Sequence, residues 1–257
     1  AFEAYTTLAA VAATVPEARL GVVVACAAYR PPAVVAKMMS IIDNIGGGGV
    51  ILGLGAGSNR REHQHFGVPW RDRRGRTDAL KEAVAVVAAM RDQPTGATVA
   101  GAVDGAPNLP APTRFPIWVA AHRPVLLRFA GAHADGVVAA WTSPAELRAR
   151  LDVCDAAAAE AGRARPAACV YTVCLPASSP AEIDDWLAAE AATLGTTPRA
   201  LARWVRSTGI VGSPADVRAH LRALEDAGAT DCVLCLPNQV PLEAFLATSE
   251  CRVDDPD

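Results

Sequence analysis

The sequence predicts a parallel α/β fold, and three observations carry that expectation. Strand-like apolar runs alternate with helical patterns along nearly the whole chain, and no two such runs are adjacent, as hairpins would require. The clearest run, Val50-Ile51-Leu52, is apolar without alternation, which suits a strand buried on both faces. The 257 residues are also 51% apolar, enough for a large core. Two architectures meet this pattern: an open doubly wound sheet, or a closed eight-stranded barrel of about 250 residues. Six strand-like runs fit the first directly, and the second only if two strands are missing.

In chain order, residues 2–14 read as a helix with Leu8, Val11 and small residues on one face, ended by Pro16. Residues 20–26 read as a buried strand with a polar-aromatic exit at Tyr29-Arg30-Pro31-Pro32. Val34, Val35, Met38, Ile41, Ile42 and Ile45 fall at helical spacing, so residues 32–45 form an amphipathic helix. The glycines at 46–49 turn the chain into the strand that begins at Val50. After Gly57 comes a polar segment over 58–65, then Phe66-Gly67-Val68-Pro69-Trp70 and a helix from about Arg71 to Met90, its arginine-rich start a solvated first turn. Residues 92–112 are rich in Gly, Pro and Ala without a period and read as a long loop, a kind that is often functional. Strands at 117–120, 136–140, 169–175 and 232–236 then alternate with helices at 124–133, 144–162, 180–194, 198–207 and 214–227. Ser143-Pro144 and Ser213-Pro214 each join a capping side chain to a proline whose missing N–H is unpaired there anyway. Gly228 suits the position just past the last helix.

The net charge of −3 argues against non-specific nucleic-acid binding, which needs a strongly basic face. No apolar run reaches the ~18 residues of a membrane span, and no signal-peptide pattern is present. A cytoplasmic protein that engages neither membrane nor nucleic acid is expected. Seven widely spaced cysteines in a chain of this size read as reduced thiols. Cys232-Val233-Leu234-Cys235 has CxxC spacing, but strand positions three apart point to opposite faces, so buried thiols are expected rather than a redox or zinc pair. No metal centre is expected.

Gly53, Gly55 and Gly57 close the strand that starts at Val50. Glycine lets the backbone take unusual angles and lets a ligand approach the amides closely. The stretch reads either as a cofactor or phosphate cradle or as a tight strand exit. A dinucleotide fingerprint would need G-x-G-x-x-G, an immediate helix and a second strand within about 30 residues. Ser58 stands where the third glycine belongs, and the next strand begins near Ile117. The phosphate-loop lysine is absent as well.

Taken in order, several blocks resemble the bacterial luciferase-like monooxygenase superfamily, in the branch that uses the deazaflavin coenzyme F420. They are Glu3-Ala4-Tyr5-Thr6-Thr7-Leu8, Arg19-Leu20-Gly21, Tyr29-Arg30-Pro31-Pro32-Ala33 with Ala36-Lys37-Met38, and Leu52-Gly53-Leu54-Gly55-Ala56-Gly57. Glu62-His63, Phe66-Gly67, Pro116-Ile117-Trp118-Val119, Ala134-Asp135-Gly136 and Gly212-Ser213-Pro214-Ala215-Asp216-Val217 complete the series. The resemblance implies a TIM (β/α)8 barrel with the cofactor at the carboxyl ends of the strands. It also implies two strands and a helix ahead of residue 2, so the chain is expected to be an amino-terminally truncated barrel: one domain over residues 1–250, then a short tail.

The resemblance further implies a non-proline cis peptide behind the flavin ring, joining Val23 and Val24, with Cys26 at the end of the same strand as a cofactor contact. Gly55, Ala56 and Gly57 match the cofactor-contacting turn. Ala120-Ala121-His122-Arg123 match a place where the family carries a glycine pair near the cofactor phosphate. Alanine replaces glycine there, and His122 and Arg123 either compensate by charge or are exposed loop residues. Ser58 stands where some members carry a carboxylate, and the family's catalytic histidine falls in the absent segment. Ser58 and His63 are the candidate substrate contacts, with His63 and His65 otherwise surface histidines; His133 and His220 read as structural or solvated. The activity implied is hydride transfer between coenzyme F420 and a small organic substrate. The alternatives are an FMN-dependent luciferase-like monooxygenase and a non-catalytic flavin-binding or structural remnant. A homodimer is expected by the same resemblance.

Overall fold

The computed structural model describes residues 3–15, 18–92, 114–177 and 179–235. The expected loop over 92–112, the stop at Pro16, the end of the last strand at Leu236 and the tail lie outside them, apart from Asp92, which ends a helix. The chain divides into two units, Ala1–Val138 with Val153–Pro166, and Ala139–Asp152 with Ala167–Asp257.

The first unit opens with α1 (Ala4–Thr14), where the Glu3 carboxylate accepts from the Tyr5 and Thr6 amides. Strand β1 (Gly21–Cys26) runs into a single 3-10 turn, Ala27–Tyr29, and then α2 (Pro32–Ile45) starts on its proline. Val35, Met39 and Ile42 bury one face of α2. Asp43, fully buried, accepts from the Val50 amide at 3.0 Å and so fixes the entry to β2 (Ile51–Gly55). Next come α3 (Arg60–His65), α4 (Arg73–Asp92), β3 (Ile117–Ala120) and α5 (Pro124–His133). Helix α4 begins two residues later than the sequence suggests because Asp72 caps it: its Oδ1 accepts from the Gly75 amide at 2.8 Å. β1, β2, β3 and the start of β4 (Gly136–Ala140) pair in parallel, in that order. Asp135, at the entry to β4, accepts from Arg91 at 2.5 Å, from the Ile117 amide at 2.9 Å and from Arg163 at 3.4 Å, and ties α4 to two strand starts.

In the second unit β5 (Ala167–Pro176) pairs in parallel with both β6 (Ile210–Gly212) and β7 (Asp231–Cys235). α7 (Pro180–Leu194), α8 (Pro198–Thr208) and α9 (Pro214–Asp226) connect them, each starting on proline behind a capping Ser179, Thr197 or Ser213. α6 (Pro144–Glu160) begins in this unit and ends in the first. Seven strands are therefore described where the sequence suggested six. The extra one, β6, has three residues, too few to show a period. The described cysteines are free, as expected, and burial pushes the Cys232 thiol up to about 12. No described helix is long and apolar enough to cross a membrane.

Candidate cofactor site

The carboxyl ends of β1, β2 and β3 bring most of the expected cofactor residues together. The β1–β2 register runs Gly21↔Ile51 and Val22↔Leu52, then shifts to Ala25↔Leu54 and Cys26↔Gly55. Inside the shifted stretch the Val23–Val24 peptide bond is cis, at the expected position. Val24 is 36% exposed, and its side chain lies over two glycines of β2. A Cβ on Gly53 would fall 2.8 Å from Val24 Cγ1 and 2.4 Å from the Val22 carbonyl oxygen; one on Gly55 would fall 2.9 Å from Val24 Cγ2 and 3.7 Å from the Ala120 Cβ. Val24, Gly55 and Ala120, from three neighbouring strands, therefore meet at one place.

For Gly53 and Gly55 the geometry fits the second reading of the glycine stretch, a tight strand exit: the strand runs through Gly55, and both glycines pack closely under Val24. Gly57 alone of the three takes the left-handed region, with φ 78°. Ala56, Gly57 and Ser58 lie outside regular structure, and among the described residues their amides have no hydrogen-bond partner. Successive free N–H groups around a left-handed glycine form a concavity that accepts oxygen atoms.

Beneath that turn sits His63, which the sequence reading placed at the surface or against substrate. It is 1% exposed and presents no face to a substrate. Helix α3, missed because Arg60-Arg61-Glu62-His63-Gln64-His65 has no apolar period, turns it inward; Asn59 caps the helix and His65 stays exposed. His63 Nδ1 lies 3.0 Å from the Asn59 carbonyl oxygen. A carbonyl only accepts, so Nδ1 carries a hydrogen, and Nε2 lies 3.9 Å from Cys26 Sγ. The Tyr29 and Trp70 rings each meet it in a T-shaped arrangement, both at 4.9 Å, and the Arg76 guanidinium covers Trp70 at 3.9 Å. The Tyr29 hydroxyl donates to Glu62 at 3.0 Å; burial, and then that carboxylate, push it above its usual value near 10.

Two further expected contacts are engaged by the protein itself. Cys26, half-buried, turns its sulfur toward Gly57 and His63, and burial raises its thiol above its usual value. Ala121 is fully buried and its amide donates to the Val138 carbonyl at 3.1 Å, which leaves it no N–H for a phosphate. Ser58, His122 and Arg123 are exposed, the last at the cap of α5. An exposed branched side chain beside unpartnered amides fits a group that joins an apolar ring to an oxygen-rich chain, as a flavin does. No cluster of His, Cys, Asp or Glu able to hold a metal occurs among the described residues.

The sequence profile of the luciferase-like monooxygenase family matches residues 1–231, and the chain belongs to that family of oxidoreductases and monooxygenases. Among curated relatives, the phthiodiolone/phenolphthiodiolone dimycocerosates ketoreductase of Mycobacterium sp. (strain JLS) is 33% identical over 156 residues, covering 56% of this chain and 39% of that protein. The protein of the same name in Mycobacterium tuberculosis (strain H37Rv) is 32% identical over 178 residues, covering 63% and 44%. The chain thus spans less than half the length of these relatives. An F420-dependent secondary alcohol dehydrogenase, solved with an F420-acetone adduct, superimposes with a TM-score of 0.83 at 16% identity, covering 98% of this chain and 84% of that one. The oxygenating constituent of 3,6-diketocamphane monooxygenase from Pseudomonas putida, solved with FMN, gives 0.68 at 19% identity, covering 90% and 77%. At such identities the likeness shows the fold, which is the α/β, TIM-barrel type of the luciferase-like proteins.

Proposed function

We propose that the chain binds coenzyme F420 at the exits of β1, β2 and β3 and acts as an oxidoreductase on a small organic substrate. The observation that carries this is the meeting of the exposed Val24 side chain with Gly55 and Ala120, beside the unpartnered amides of Ala56, Gly57 and Ser58. Val23 and Val24 would carry the ring system, and the three amides would hold oxygen atoms of its polar chain. His122 stands at the exit of β3 for a more distant anionic group, and Ser58 is the candidate polar contact for substrate. Bound there, the deazaflavin supplies hydride chemistry; the chain supplies position and exclusion of water. The names of the F420-dependent alcohol dehydrogenase and of the ketoreductases support a carbonyl–alcohol pair as the substrate class.

A second reading, an FMN-dependent monooxygenase, is supported by the FMN-bound likeness. Titrating the purified chain with F420 and with FMN, followed by cofactor fluorescence, separates the two. Tighter binding of F420 supports the first reading and tighter binding of FMN the second. Binding of neither by the folded chain leaves the non-catalytic remnant.

The expected homodimer remains a proposal, supported by α2. Val34, Ile41 and Ile45 recur on one face of that helix and are exposed large apolar residues.

A further inference from the structure

We infer that His63 is a positioning residue: a buried strut that holds the Gly57 turn in the shape that leaves the amides of Ala56, Gly57 and Ser58 open to a ligand's oxygen atoms. The inference rests on the cofactor reading above for the ligand, but its geometry stands without it. A Cβ on Gly57 would fall 3.0 Å from His63 Cε1 and 2.6 Å from Cys26 Sγ, so ring and sulfur together form the floor of the turn. The ring is fixed from every side the structure shows. Its Nδ1 hydrogen is held by the Asn59 carbonyl, four residues back in the same segment, and its Nε2 faces the sulfur. Tyr29 and Trp70 each pack against it in a T-shaped arrangement.

An apolar residue would fill this space with less desolvation cost, since a buried polar ring is favoured only where its hydrogen bonds are made. What imidazole adds is direction. Its Nδ1 hydrogen ties the ring to the loop that carries Ser58 and Asn59, so the turn and the cap of α3 are set by one side chain. Three free amides cost order to keep in place, and a rigid floor removes that cost before the ligand arrives. His63 therefore acts on ligand affinity through the backbone and does not touch the ligand.

The test uses the full chain with His63→Ala, and with His63→Asn, whose side-chain amide keeps a donor near the Nδ1 position. Two readouts are taken: backbone 15N order parameters of residues 56–58 in the free protein, and the Kd for F420 and for FMN. With His63→Ala, the order parameters at 56–58 fall below 0.6 from the ~0.85 of rigid backbone, and the Kd of the better cofactor rises about 10-fold. With His63→Asn, both effects are at least half reversed. Unchanged order parameters in a folded His63→Ala chain overturn the strut, whatever binds. So does equal loss in the two variants, since the Nδ1 tie then has no role. If the parent chain binds neither cofactor, the cofactor reading fails, while the order parameters still decide the strut.

Discussion

At Gly57 two demands coincide, and they can be separated. The backbone sits at φ 78°, where a β-carbon costs about 1–2 kcal/mol, and the space a β-carbon needs is filled by Cys26 Sγ. On the proposed F420 site, Gly57→Ala is expected to weaken binding about 10-fold, by tilting the amides of the turn. Cys26→Ala removes the sulfur but not the backbone cost, so the double variant should recover part of that loss. A double-mutant cycle on the F420 Kd measures this coupling; additive effects would mean that the sulfur is not what excludes a side chain. Tyr29 offers a neighbouring case. Its hydroxyl bonds to Glu62 at 3.0 Å and joins the end of β1 to α3. Tyr29→Phe should cost about 1 kcal/mol, read as a fall of about 2–4 °C in Tm for a chain of this size. An unchanged Tm would show that the bond adds nothing to the fold.

The elements that were legible in the sequence are those whose ends carry their own chemistry. α2, α5, α7 and α9 begin at the prolines that mark them, because proline at the first helical position fixes φ and gives up no bond. β3 and β4 lie where their apolar runs put them, since a strand buried on both faces needs every residue apolar. α3 and β6 were not legible: one buries a single side chain, the other is three residues long, and neither leaves a period. The site followed the same rule. The family blocks located the strand exits and the cis bond, but the inward turn of His63 and Cys26 depends on contacts between segments distant in sequence, and no spacing encodes those. α9 also carries a pH prediction. Its capping box joins Ser213 to Asp216, and the bonds from the Ser213 hydroxyl and then its amide hold the Asp216 carboxyl below its usual value near 3.8. A carboxylate whose folded value is depressed stabilises the fold above its unfolded value, and loses that contribution as pH falls through the folded one. Asp216→Asn should therefore lower stability in urea at pH 7, with the gap to the parent closing below about 3.8. A gap that persists in acid would assign the effect to packing instead of charge.

For the whole molecule, family and fold rest on the match over residues 1–231 and on likeness to solved barrels, and assembly is a proposal of its own. In α2 the two faces have separate tasks. Val35, Met39 and Ile42 are buried within the first unit, whereas Ile41 is 48% exposed and lies in line with Val34 and Ile45. These residues are already about half buried, so removing the rest of each from water gains only about 1 kcal/mol apiece; a second copy of the same helix is the proposed cover for the row. Two-fold symmetry would set the row against itself, which makes a single substitution act twice in one interface. Ile41→Lys then places two like charges near the axis while leaving the buried face intact, and surface changes of that kind alter monomer stability by less than about 0.5 kcal/mol. Sedimentation velocity at micromolar concentration should give a dimer for the parent and a monomer for Ile41→Lys, with Tm and F420 Kd otherwise close to the parent. A parent chain that sediments as a monomer sinks the dimer. A variant that stays dimeric moves the interface off this face of α2.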